Sequence, residues 1–212
     1  MSITTEKTFE TALVQSLVEQ GGYTEGNSQD YSAELGMFKN EVIKFLQESQ
    51  PKRWEKISAI HGKDADNRVI QRLYKELDLR GSLDVLRNGF VDYGVRFQMA
   101  FFQPASTLNP DAIDLYNKNS LKVYRQIFYS SKNKNSVDVL LCLNGIPVAT
   151  LELKNQFTGQ NVGNALKQYS TTRDNREVLF TFKKRALVHF AVDQDEVFMT
   201  TGLDGSKTYC LQ

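Results

Sequence analysis

Between Ser136 and Phe157 the chain reads SVDVLLCLNGIPVATLELKNQF, and Asp138, Glu152 and Lys154 interrupt two otherwise apolar runs. Two carboxylates and a lysine at this spacing suit one kind of chemistry. The acids can share a divalent cation, with a backbone carbonyl and waters completing the shell in the way Mg²⁺ favours. The lysine can orient a water or steady the charge on a phosphate, which makes the trio a hydrolytic centre for phosphodiesters. A plainer use is also open: a salt bridge of Lys154 with Asp138 or Glu152 on a solvated sheet face. A bare Asp…Glu-x-Lys pattern often occurs by chance.

The elements around the trio decide how close the acids come. Both runs are strand-like, and side chains alternate across a strand. Val137, Val139, Leu141 and Leu143 share one parity, as do Ala149, Leu151 and Leu153, which predicts two clean apolar faces toward the core. Asp138, Glu152 and Lys154 then fall together on the opposite face. A strict two-residue Asn144-Gly145 hairpin would oppose Asp138 to Leu151 and separate the acids. Opposing Asp138 to Glu152 requires an odd loop or a bulge, because a slip of one residue flips every side chain. Directly opposed, their Cβ atoms would stand about 4.5–5.5 Å apart. Two charged carboxylates that close repel, and a shared cation removes the conflict.

The rest of the chain supplies the frame. The first third is helical in pattern. Phe9, Ala12, Leu13 and Leu17 form one stripe ended by Gly21-Gly22; Phe38, Val42, Phe45 and Leu46 form another; Pro51 opens a third helix, and Gly81 closes a fourth. A short helix, SLDVLRNGF, ends near Gly89. Then VRFQMAFF, KVYRQIFYS, the two runs above, RALVHFAVD and EVFMTT read as strands, with a helix over QNVGNALKQYSTTRDN before the last two. This order predicts an α/β sheet with an antiparallel meander and helices packed on it.

Composition is that of an ordinary globular chain: 212 residues, 41% hydrophobic and 24% charged. The 26 basic and 25 acidic residues leave a formal charge of +1, so any surface for a polyanion must be local. Cys142 and Cys210 have no metal spacing, and Cys142 in an apolar strand reads as a buried free thiol. No signal-peptide pattern opens the chain and no apolar run approaches about 18 residues. The expectation is a soluble, cytoplasmic protein with no membrane partner.

Asp138 followed by Glu152-Leu153-Lys154 resembles the PD-(D/E)xK nuclease core, with Val137 in place of the usual proline. More specifically, VDVLLCLNGIPVATLELKN and the downstream N-AL-QY resemble the N-terminal nuclease domain of the restriction (R) subunit of Type I restriction–modification enzymes. FETALVQSLVEQGGY resembles that subunit's first helix. The resemblance implies a restriction-endonuclease-like α/β core, with a mixed central sheet flanked by helices and a helical N-terminal third. It implies a single nuclease domain over 1–212, mainly helical over 1–90, with the catalytic hairpin at 136–154. Its activity would be Mg²⁺-dependent cleavage of double-stranded DNA, in a complex with modification (M) and specificity (S) subunits. Cleavage would follow ATP-driven translocation by motor domains that 212 residues are too few to hold, so the chain reads as an excised fragment or a stand-alone domain. Other readings are a repair or modification-dependent nuclease of the same superfamily, or a nuclease-fold module that only docks DNA or a subunit.

Residue by residue, the resemblance makes Asp138 and Glu152 metal ligands with the Leu153 carbonyl a further one, and Lys154 the catalytic lysine. An acid from the first helix completes related sites; Glu10 is the first candidate and Glu19 the second, against a solvated first-turn acid favoured by the helix dipole. Some related nucleases carry Gln-x-x-x-Tyr after the lysine. Here Gln168 and Tyr169 are adjacent, so Gln168 is retained as a catalytic candidate and Tyr169 is read as packed on the sheet. Lys154, Lys167, Arg173 and Arg176 are candidate phosphate contacts, with Lys183, Lys184 and Arg185 equally suited to solubilising charge. GLDGSKT fails as a P-loop because Ser206 separates Gly205 from Lys207, so ATP is expected only in a full-length subunit. His61 and His189 are isolated and read as structural.

Overall fold

The computed structural model describes residues 6–106, 108–155 and 160–212. The opening residues, 1–5, and the link 156–159 after the hairpin lie outside the described residues. The chain runs α1 (Glu6–Glu19), β1 (Thr24–Glu25), α2 (Lys39–Ser49), α3 (Pro51–His61), α4 (Ala65–Arg80), α5 (Ser82–Asn88), β2 (Phe90–Asp92) and β3 (Val95–Phe97). It continues through α6 (Pro110–Asn117), β4 (Leu121–Phe128), β5 (Ser136–Leu143), β6 (Ile146–Leu153), α7 (Val162–Lys167), a π-helical turn (Gln168–Thr172), β7 (Val188–Val192) and β8 (Val197–Thr200). A six-stranded mixed sheet has the order β1-β4-β5-β6-β7-β8; β4 to β6 form the antiparallel meander, and β6 to β7 is a parallel step. The expected α/β class is the observed one. VRFQMAFF does not join the sheet: β3 pairs only with β2 in a separate hairpin.

Three apolar clusters hold the layers. One face of the sheet, with Val123, Val139, Ala149, Leu151 and Leu153, packs against Phe9, Leu13, Val14 and Leu17 of α1. The other face, with Tyr124, Leu140 and Cys142, packs against Val162, Ala165, Tyr169 and Phe180. Helices α2 to α5 form their own cluster with β2 and β3, and Ile146 inserts into it from the hairpin. Because both faces of the central strands are covered, the face assigned to the acids is itself interior, not a solvated one. Cys142 is a buried free thiol, as its strand setting suggested.

The hairpin contains the offset that the acids demanded. Asn144 and Gly145, at φ +53 and +82, form a two-residue turn of the type whose twist suits a hairpin. That turn pairs Leu143 with Ile146 and Cys142 with Pro147. The register then shifts, and Leu141 pairs with Ala149, Leu140 with Thr150 and Val139 with Leu151. The loop is therefore short, and the extra residue is a bulge at Val148. The shifted ladder ends at the Val139–Leu151 pair, with Asp138 and Glu152 the next residue on each strand.

Asn144 is buried and closes the turn: its side chain accepts from Ser120 N (2.7 Å) and donates to Met99 O (2.9 Å). Phe38 N, at the start of α2, donates to Gly145 O at 2.9 Å. A Cβ at Gly145 would stand 2.7 Å from Phe38 O, in a backbone region that L side chains rarely adopt. Gly145→Ala is expected to cost about 1–3 kcal/mol, read as a lower urea midpoint. An unchanged midpoint would contradict this account of the hairpin tip.

Candidate active site

At the open end of the hairpin, Glu152 lies in the last turn-free stretch of β6 with no solvent exposure, and Lys154 just beyond it is 6% exposed. One carboxylate oxygen of Glu152, Oε1, accepts from Arg173 Nε (2.8 Å) and a terminal guanidinium nitrogen (2.7 Å). The other, Oε2, is buried and has no hydrogen-bond partner among the described residues. Burial pushes the Glu152 carboxyl up to about 8; Arg173 opposes this and the charge of Asp138 adds to it.

Asp138 is half-buried. Its Oδ2 accepts from Leu153 N at 2.8 Å, which ties the first acid to the backbone between Glu152 and Lys154. Its Oδ1 lies 3.3 Å from Gln126 Nε2. The same nitrogen donates to Glu10 Oε2 at 2.9 Å, so Gln126 bridges the α1 acid to Asp138. Glu10 is buried to 8% exposure and is thus drawn to the site, whereas Glu19 is exposed and accepts from Gln15. Lys154 Nζ donates to Leu153 O at 3.0 Å, placing its charge on the carbonyl that the sequence nominated as a ligand.

Simple alternation across β5 does not survive at Asp138. Val137 packs with Leu140 and Cys142, not with Val139. The β4–β5 ladder pairs Arg125 with Val139 and Ile127 with Val137 but leaves Gln126 and Asp138 unpaired, and Gln126 has φ +50. Both strands change phase at that level. The site therefore draws Glu152's partner from the α7 side and Asp138's partner from the strand that faces α1.

Gln168 is half-buried, and its Oε1 is a second buried oxygen of this region without a partner among the described residues. With Lys154, Gln160, Asn164, Lys167, Thr171 and Thr172 it lines an open cleft of about 500 Å³. α7 is short but well capped: Asn161 and Asn164 form a reciprocal capping box, and Asp193 Oδ2 accepts from Val162 N. Tyr169 is buried on the sheet, sharing a hydrogen bond with Thr150 Oγ1 (2.9 Å), which also bonds His189 Nδ1 (2.8 Å). Burial holds His189 down at about 4, so it is neutral at pH 7. His61 pairs with Asp92 at 2.8 Å in the helical layer, away from the cleft residues.

Two expected surface cations lie elsewhere. Arg173 is turned inward: its side chain is 7% exposed and is occupied by Glu152 and Ser136 O. Arg185 is fully buried, donating to Leu35 O and pairing with Asp78, so it is neither solubilising nor open to a phosphate. Lys167 lies on the cleft, and Arg176 is exposed beside Asp174. Gln126 was missed; a polar residue amid KVYRQIFYS carries no signal of its positive φ or of its bridging role.

The chain belongs to a family: residues 3–208 match the model of the Type I restriction enzyme R protein N terminus. It thus belongs with the N-terminal regions of the restriction subunits. No curated protein matches the chain. Among the described residues no helix is long and apolar enough to cross a membrane.

The sign of the Glu152 shift sets a pH dependence. A carboxyl raised from 4.5 to about 8 in the folded chain stabilises it fully below about 4.5, and that contribution is lost as pH rises through 8. In a chelator, the melting temperature is expected to fall between pH 5 and about 8.5, and Glu152→Gln is expected to flatten that fall. Parallel pH profiles for the two proteins would contradict the assignment.

Proposed function

We propose that this chain is the Mg²⁺-dependent endonuclease domain of a Type I restriction subunit, hydrolysing phosphodiester bonds of double-stranded DNA. The observation that carries the reading is the buried, unpartnered Oε2 of Glu152 beside Asp138, with Lys154 two residues further on. A buried carboxylate oxygen without a donor is costly, and a cation is the group that would satisfy it. Among the described residues no three His, Cys, Asp or Glu side chains gather into a metal cluster. The donor set is two carboxylates and the Leu153 carbonyl, which leaves positions for water and fits Mg²⁺ better than a fully protein-ligated metal.

When bound there, Mg²⁺ would supply Lewis-acid polarisation of the phosphoryl oxygen and a more acidic water. The protein's own groups do the rest. Glu152 and Asp138 would hold the cation. Lys154 brings positive charge to the cleft wall, where it would balance the charge that gathers on the phosphate oxygens. Glu10, held through Gln126, supplies a third acid at the Asp138 side, suited to orienting a water. Gln168 offers an unpaired oxygen on the cleft wall, and Lys167, with Arg176 further out, provides phosphate contacts. The sequence carries no helix-turn-helix, zinc or base-reading signature, which fits specificity residing in a separate S subunit, with an M subunit and an ATP-driven motor completing the enzyme.

The test is DNA cleavage by the assembled complex carrying single substitutions in this chain. Asp138→Ala, Glu152→Ala and Lys154→Ala are each expected to lower cleavage by about 10²-fold or more while DNA-stimulated ATP hydrolysis continues. Cleavage at the unsubstituted rate by Glu152→Ala would refute the proposal. Binding of DNA without Mg²⁺-dependent cutting, in every context, would favour a docking module.

A further inference from the structure

Arg173 reaches two strands and the segment that follows a third. Its Nε and one terminal nitrogen bind Glu152 Oε1 on β6 at 2.8 and 2.7 Å. The same terminal nitrogen donates to Ser136 O (2.7 Å), two residues before Asp138 on β5. The other donates to Tyr129 OH (3.3 Å), just past β4, whose ring centroid lies 5.5 Å from the guanidinium carbon. One planar group thus spans the opening between the strands that carry the two acids.

Resting on the reading of Asp138 and Glu152 as cation ligands, we infer that Arg173 is the positioning residue of that site. Gripping Oε1 with two donors, it fixes the rotation of the Glu152 carboxylate so that Oε2 is the oxygen left to a ligand. Holding Ser136 O, it fixes the end of β5, and with it the distance from Asp138 to Glu152. The task needs several donors in a fixed plane. An ammonium is a point charge on a flexible stem and cannot hold one carboxylate oxygen and a carbonyl in one orientation.

The π turn explains how an arginine from the helix gets there. Arg173 N donates to Gln168 O, five residues back, at 3.0 Å. A π turn admits one more residue than an α turn, which alters the direction in which the chain leaves the helix. The first residue after it is Arg173, in extended conformation and aimed at the sheet. The irregular turn and the buried arginine are parts of one device.

The experiment is Mn²⁺ binding by calorimetry on this chain, with duplex DNA present, for Arg173→Lys, Arg173→Ala and Tyr129→Phe, each confirmed folded by its melting transition. Arg173→Lys retains the charge but is expected to weaken Mn²⁺ binding about 10- to 100-fold, the usual effect of losing a group that orients a metal ligand. Millimolar guanidinium ion is expected to restore part of the lost affinity to Arg173→Ala, with ammonium at the same concentration ineffective. Tyr129→Phe, which loosens the guanidinium without touching Glu152, is expected to weaken binding in the same direction and serves if the alanine variant does not fold. Wild-type affinity in Arg173→Lys, or tighter binding in Arg173→Ala, would overturn the inference and leave Arg173 a simple counter-charge. Absence of Mn²⁺ binding by the unsubstituted chain would instead remove the cation-site reading, and this inference with it.

Discussion

A carboxylate without solvent contact at the end of a central strand sets the terms for its surroundings. Ionised, Glu152 would suffer a desolvation penalty of several kcal/mol unless cations and donors face it. Arg173 meets one oxygen and leaves the other bare. Asp138 adds a second negative charge nearby and raises the cost. Lys154 brings a positive charge to the same end of the strand. A proton on Glu152, or a cation that replaces it, relieves that cost.

The fold serves that constraint. The bulge at Val148 sets the register that pairs Val139 with Leu151, one residue from each acid, and the turn at Asn144-Gly145, fixed by α2, anchors that register from the far end. Helix α1 seals one face and contributes Glu10 through Gln126; α7 and its π turn cover the other and contribute Gln168 and Arg173. The match to the R-subunit N-terminal family spans residues 3–208.

Much of this is legible in the residues themselves. The apolar alternation of VDVLLCL and ATLEL, broken by acids of the same parity, demanded an offset in the hairpin, and a bulge provides it. Pro51, Gly81 and Gly89 mark helix ends because each imposes a backbone state that ends or starts a helix. What escaped has a common cause: it depends on partners distant in sequence. Arg173 read as one more basic residue after the motif, because its three partners lie 21 to 44 residues away. Arg185 looked like part of a charged FKKR turn until Asp78 and Leu35 O enclosed it. The phase change at Gln126 and Asp138 arises from one left-handed residue that no propensity marks, and α6 and the two-residue β1 are too short for periodicity to reveal.

The most direct measurement is anomalous diffraction at the manganese edge from crystals of this chain grown with Mn²⁺ and a short duplex. One strong peak is expected at the hairpin's open end, in ligand contact with Glu152 Oε2 and an Asp138 carboxylate oxygen. A fully occupied DNA complex with no peak there, and with Lys154 Nζ bonded to Glu152 Oε2 instead, would show that the acids and the lysine form a structural cluster.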